Sequence, residues 1–282
     1  MRRFILFFAL LTYSWAASAQ EVDYTKADSM LVMQLLKKGK QQKAGTNIFL
    51  FFARQFLGSP YAAHTLDKNK EERLVINLRE LDCTTYVEYV LALSQCVKHQ
   101  KYTFKDFCRY LKEIRYIGGN VSYTSRQHYF TIWINDNMKD GFVKDIQSPN
   151  PPFTAVQTVN VDYMTKHIPS YYMLNLHPEW VDGIRNMEQS INGKRYRYIP
   201  KNKILNTKLM RQTIKNGDIL VILTRRKGLD TSHIGIASWH KDGLHLINAS
   251  MIHKKVVEDP MTLYRYMQKH STHTGIRVVR PL

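Results

Sequence analysis

The sequence predicts an α+β fold, with helices first and an antiparallel sheet later. Two observations carry that prediction. The stretch before residue 117 holds apolar residues at helical spacing, as in Ile48, Phe51, Phe52 and Phe56. From Ile219 onward, short β-type runs alternate with turn residues, as around Asp242-Gly243.

The extreme N-terminus is expected to be removed. Met1-Arg2-Arg3 is a positive start, Phe4 to Leu11 is apolar, and Ala17-Ser18-Ala19 is a small-residue cleavage site before Gln20. Residues 1–19 read as a signal peptide, too short for a membrane span. It addresses the protein to the bacterial periplasm or beyond. Residues 20–282 are long enough for one domain carrying an insert.

The elements then follow in order. Two helices are expected over 22–57, broken near Lys38-Gly39-Lys40, and Gly58-Ser59-Pro60-Tyr61 stops the second. Leu74 to Leu78 has strand character. Cys83 to Lys98 and Phe104 to Tyr116 are helical, the latter ended by Gly118-Gly119. Tyr129 to Asn135 fits helix and strand equally. Pro149, Pro151 and Pro152 then break the pattern, and about 140–216 reads as an insert. Ile219 to Thr224, His233 to Trp239, Leu244 to Asn248 and Arg277 to Arg280 are strands. Asp242-Gly243 predicts a two-residue hairpin turn.

Composition narrows the function. The net charge is +18, or +16 without Arg2 and Arg3. The basic residues are spread along the chain with no zinc-finger or RNA-binding signature, so nucleic acid is not the expected partner. An exported basic protein meets anionic envelope polymers or peptides bearing carboxylates. Three cysteines are too few for a disulfide framework. On one helix, Cys83 and Cys96 lie roughly 220° apart around the axis, so they face away from each other. Cys96 and Cys108 read as buried apolar residues, with a bridge between them as the alternative.

Cys83 carries the chemistry. A thiolate is the nucleophilic form, and a helix N-terminus favours the anion. Asp82 suits the N-cap, so the Cys83 pKa is expected to fall; Thr85 and Glu88 give a capping-box pattern one turn in. His233 opens an apolar strand whose small Gly235 and Ala237 are expected to leave room against the Cys83 helix, and it suits a general base. Asn248 suits the group that orients the imidazole. A two-residue turn pairs Ala237 with Asn248, which puts Asn248 on the His233 face but about 13 Å along the strand. A bulge, strong twist or looser turn is needed to close that gap. No zinc-ligand pattern is present, and no cofactor is expected.

With these residues the chain resembles the NlpC-type cysteine hydrolases of bacterial cell walls. It resembles most their N-acetylmuramoyl-L-alanine amidase-like branch. The resemblance rests on Phe56-Leu57-Gly58-Ser59-Pro60-Tyr61, Leu81-Asp82-Cys83-Thr84-Thr85-Tyr86-Val87-Glu88, Arg126-Gln127-His128-Tyr129-Phe130, Asn216-Gly217-Asp218-Ile219, the block from Gly228 to Ala237, and Asn248-Ala249-Ser250. It implies a papain-like fold with Cys83 as nucleophile, His233 as base and Asn248 in the third polar position, where many relatives carry His. It further implies an oxyanion role for Tyr61. The implied substrate groove takes in Asp82, Arg126, His128, Tyr129, Trp133 and Ser232. Arg126 is expected to clamp a carboxylate bidentately and the aromatics to cover sugar faces. The insert would shape the pocket.

The implied reaction is hydrolysis of the amide between N-acetylmuramic acid and L-alanine in peptidoglycan fragments, through a thioester and without a metal. Two alternatives share these residues. One is a same-fold endopeptidase cutting between D-glutamate and the diamino acid. The other is a non-catalytic wall-binding relative, for which Asn248 in place of His is the only hint. Nothing in the residues favours a third class, an acyltransferase or hydrolase of a host protein or lipid.

Overall fold

Capping residues open the long helices of the first half. In the computed structural model, which describes residues 22–282, strand β1 (Val22–Tyr24) leads into helix α1 (Lys26–Lys40). Thr25 and Asp28 close a capping box at its start. Helix α2 (Ile48–Gln55) starts on Asn47, whose side chain accepts the Leu50 amide. Strand β2 (Leu74–Ile76) pairs in parallel with β1. Helix α3 (Cys83–Lys98) starts on Asp82, and α4 (Phe104–Arg115) on a Thr103–Asp106 box. The signal peptide expected over 1–19 lies outside the described residues.

The ambiguous stretch is a helix, α5 (Phe130–Lys139). Tyr129 gives it no side-chain cap. The Asp230 carboxylate, just ahead of a distant strand, accepts the Thr131 amide at 2.8 Å instead. Phe130, Trp133, Ile134 and Asn137 are buried at helical spacing. Tertiary burial therefore decides between two patterns that the local sequence leaves equal.

The rest is mostly sheet. Strands β3 (Val143–Ile146) and β4 (Ala155–Thr158) are followed by α6 (Tyr163–Lys166), α7 (Tyr172–Leu176), α8 (Val181–Ile191), β5 (Arg195–Pro200) and α9 (Lys208–Thr213). Then come β6 (Ile219–Thr224), β7 (Thr231–Trp239), β8 (Leu244–Ser250), β9 (Lys255–Glu258), α10 (Leu263–Lys269) and β10 (His273–Pro281). The strands pair antiparallel in the order β4-β5-β10-β6-β7-β8-β9, with β3 also on β10. The stretch expected as an insert thus has two parts. Strands β3, β4 and β5 join the main sheet. Helices α6 to α8 close over a small core of their own, with Val161, Met164, Leu174, Ile184 and Met187.

The two faces of the sheet bury different neighbours. Ile219, Val221, Ile234, Ile236 and Ile247 face the helical half, in one core with Val87, Val90 and Leu91 of α3. Leu220, Ile222, Ala237 and Leu246 form a second core with Leu263 and Met267 of α10. This corrects one expectation. The Gly235 and Ala237 face does not lie against the Cys83 helix; Ile234 and Ile236 do.

The hairpin is also corrected. Trp239 pairs with Leu244 and Ile236 with Ile247, and the His240 amide reaches the Gly243 carbonyl at 2.8 Å. The turn is therefore a four-residue loop, not the two-residue turn that Asp242-Gly243 predicts. All three cysteines are free, Cys96 buried and Cys108 half-buried. Among the described residues no helix is long and apolar enough to cross a membrane.

Candidate active site

The site is assembled where the start of α3 meets the start of β7. Asp82 Oδ1 accepts the Thr85 amide at 2.8 Å, and Thr85 Oγ1 accepts the Asp82 amide at 3.0 Å. The capping box therefore closes between Asp82 and Thr85, not one turn further on. This fixes Cys83 as the first residue of the helix. Glu88 points back to α4, where Arg115 Nε donates to it at 2.7 Å, and both side chains are fully buried.

The Ile234 amide, the Thr84 hydroxyl and the Cys83 amide are the neighbouring groups that favour a Cys83 thiolate. The sulfur thus lies beside the residue that follows His233. Burial outweighs all three. Desolvation first, then the Asp82 carboxylate, push the thiol up to about 12. The lowered pKa expected from the helix N-terminus is overturned by the tertiary surroundings. Cys83 nevertheless keeps partial exposure.

His233 is reached by an irregularity in the sheet. Ile222 pairs with His233 but Leu223 pairs with Thr231, so Ser232 is the extra residue of a β-bulge. His233 Nε2 meets Asn248 Oδ1 at 2.9 Å. The looser hairpin makes this contact: its register, continued one pair beyond Ile236–Ile247, sets Gly235 opposite Asn248. That is two residues from His233, about 7 Å of strand instead of 13. The ring is desolvated, which lowers its pKa; the Asn248 bond and the nearby Asp82 carboxylate oppose this, while His270 adds to it. Because Asn248 Oδ1 is an acceptor, it selects the tautomer with Nε2 protonated and Nδ1 free. Asn248→Ala is expected to lower kcat about 10- to 100-fold, the weight of one strong hydrogen bond. Asn248→Asp keeps the acceptor and is expected to retain most of the rate, as an assay of both variants would read.

Tyr61 flanks the nucleophile. The chain from Gly58 to Ala62 is laced between two neighbours: the Tyr61 amide donates to the Lys254 carbonyl at 3.0 Å, and the Ala62 amide to the Leu81 carbonyl at 3.1 Å. Desolvation and then the proximity of Cys83 and Asp82 raise the Tyr61 hydroxyl pKa, keeping it a donor.

The remaining expected residues divide. Asp82, Arg126 and His128 line one cavity of about 210 Å³ beside Thr84, together with Asp67, Glu88 and Arg115. Ser232 lines a second cavity of about 230 Å³ with His233 itself. Tyr129 and Trp133 are corrected. Trp133 is 0% exposed and stacks on Phe130 inside the main core. The Tyr129 hydroxyl donates to Glu188 at 2.7 Å, tying α5 to the helical lobe. Neither presents a face to a ligand. Arg126 is buried and already paired with Asp67 and with Glu72, so it is not a free clamp for a substrate carboxylate. His128 Nε2 meets the Tyr123 carbonyl at 2.8 Å, and burial with Arg126 pushes the ring down to about 3, so it stays neutral. The paired groups Asp67, Glu72, Glu88 and Arg115 escape sequence reasoning, because their partners are 27 to 59 residues apart and no spacing marks them.

A family match defines an amidase-like class of enzyme. Residues 51–276 match the model of the AmiA-like family, N-acetylmuramoyl-L-alanine amidase-like, and the chain belongs to that family. It is similar to the structure of an N-acetylmuramoyl-L-alanine amidase from Bacteroides uniformis, with 37% identity, 86% of this chain and 99% of that chain covered, and a TM-score of 0.77. It is similar also to a proposed xylanase from Bacteroides fragilis, with 38% identity, 82% and 99% covered, and a TM-score of 0.76. A Legionella pneumophila protein at 22% identity shares the fold, with 91% and 95% covered and a TM-score of 0.71. No curated protein matches the chain.

Proposed function

We propose that this enzyme is an exported cysteine amidase of peptidoglycan fragments, a papain-like unit over residues 20–282. Export by residues 1–19 and work in the periplasm or outside the cell belong to this reading. The observation that carries it is the 2.9 Å contact between His233 Nε2 and Asn248 Oδ1. With Nε2 held, Nδ1 is left to serve Cys83.

The reaction then runs in two halves. As Cys83 Sγ attacks the lactyl carbonyl of N-acetylmuramic acid, His233 Nδ1 takes the thiol proton. The Tyr61 hydroxyl and the Cys83 amide hold the oxyanion. The imidazolium passes its proton to the alanine nitrogen, the C–N bond breaks, and a thioester remains. Water attacks the thioester, His233 takes one of its protons and returns it to the sulfur, and the sugar leaves with a free lactyl carboxylate. Asn248 steadies the ring throughout, more weakly than a carboxylate because it carries no charge.

Burial raises the thiol and lowers the imidazole, so the resting pair is neutral. The proton therefore moves during attack and not before it. This has a pH signature. The active form holds neutral His233, so kcat/KM is expected to rise with pH through a single limb below 6.5. It then stays flat until the thiol titrates near 12. A profile on a disaccharide–tripeptide substrate checks it: a bell peaking near neutrality contradicts the neutral pair, and absence of turnover at every pH contradicts the amidase reading.

A glycosidase reading, raised by the similar protein from Bacteroides fragilis, finds no free pair of carboxyl groups in the cavity beside Asp82. Glycoside hydrolysis needs two available carboxyl groups flanking the bond. Asp67, Glu72 and Glu88 are paired with arginines, and Asp82 caps α3. The same-fold endopeptidase uses the same three residues; family membership favours the amidase bond.

A further inference from the structure

We infer that a basic cleft on the β6–β7 turn binds the carboxylates of the peptide leaving group, while the cavity beside Asp82 takes the sugar. The direction rests on the amidase reading above; the charge distribution does not.

His233 must protonate the departing amine, so the peptide lies on its side of the scissile bond. The cavity that His233 lines also contains Arg226. Arg226 continues into a larger cavity of about 850 Å³, shared with Arg225, Lys227, Lys166 and His167. The two spaces therefore form a track leading away from the leaving group. Lys166 is paired with Asp162 at 2.7 Å. Arg225, Arg226 and Lys227 are exposed and have no carboxylate partner among the described residues. The cavity beside Asp82 is the opposite case, since its Arg115 and Arg126 are already neutralised. A neutral sugar suits the second, and a peptide with several carboxylates suits the first.

The turn is held in place before any ligand arrives. The Arg225 amide donates to the Thr272 carbonyl at 3.0 Å, and the Gly228 carbonyl accepts from the Tyr163 amide at 3.1 Å. Gly228 has φ +78, and a Cβ there would meet Asp162 Oδ1 at 2.5 Å, so only glycine lets the lobe sit this close. Asp230 then anchors the end of the turn on α5. A turn backbone fixed in advance leaves only the side chains to be ordered on binding.

The test is calorimetric titration of L-alanyl-γ-D-glutamyl-diaminopimelate into Cys83→Ala protein, with and without Arg225→Gln, Arg226→Gln and Lys227→Gln together. The triple variant is expected to weaken Kd about 30-fold or more and to flatten its salt dependence. A charge-keeping variant with all three positions occupied by the other basic residue, Arg225→Lys, Arg226→Lys and Lys227→Arg, is expected to retain most of the binding. Circular dichroism melts report whether each variant is folded. Undetectable binding to the starting protein, or equal Kd values in the glutamine variant, overturns the cleft. Turnover of a muropeptide by the unmutated enzyme is read separately. Cleavage at the muramoyl-alanine bond with unaltered Kd in the variant rejects the cleft alone. The expected Kd loss without such cleavage rejects the amidase reading and keeps the cleft as a peptide carboxylate site.

Discussion

Cys83→Ala is expected to abolish hydrolysis of a muropeptide, with kcat down about 10⁴-fold or more. Loss of a covalent nucleophile removes the whole route, and only binding and oxyanion contacts remain. The substitution leaves the fold intact for a stated reason. Asp82 and Thr85 cap the helix without the thiol, and Val87, Val90 and Leu91 carry its core contacts. The Cys83→Ala protein is therefore expected to melt within a few degrees of the parent while losing turnover. Full retained activity would remove Cys83 from the mechanism. The same substitution separates the enzyme from a wall-binding relative, because a pure binder has no turnover to lose.

Arg115→Met is expected to have the largest effect on stability. Arg115 Nε donates to Glu88 at 2.7 Å and Nη1 donates to the Val75 carbonyl at 2.7 Å, with the guanidinium fully buried. Glu88 lies on α3 about a turn and a half beyond the nucleophile and is itself buried. Removing the cation leaves a carboxyl that desolvation already drives toward the neutral form, with Arg115 and, more weakly, Arg126 opposing. Breaking such a pair costs about 3–5 kcal/mol. For a chain of this size that is a fall of roughly 10 °C in Tm. Replacing both partners, Arg115→Met with Glu88→Leu, is expected to recover much of the loss, because no orphaned charge remains. Urea or thermal unfolding of the single and double variants checks this; equal losses would mean that the pair is not the source of the effect.

What the sequence made legible was local. Helix α3 begins and ends where the N-cap residue and apolar stripe put it, and β6 spans the expected Ile219 to Thr224. Asn248 also sits on the His233 face, as the alternation requires. What escaped was set by distant contacts. Strand β9 is a short edge of Lys255-Val256-Val257-Glu258, too brief and too charged to stand out. The hairpin register shifted by two residues because the turn is looser than Asp242-Gly243 suggests. Tyr129 and Trp133 looked like ligand aromatics beside Arg126, yet their burial comes from the helical lobe and the main core. The Cys83 pKa moved the other way for the same cause. Thr84, the Cys83 amide and the Ile234 amide of β7 favour the thiolate, while burial removes the water that would solvate it.

Mass spectrometry of a defined disaccharide–tripeptide after incubation with the enzyme reads most directly which bond is cut. Two products are expected: a free disaccharide bearing the lactyl carboxylate, and an intact tripeptide beginning with L-alanine. A disaccharide that still carries L-alanyl-D-glutamate would contradict the amidase reading and assign the bond to the endopeptidase.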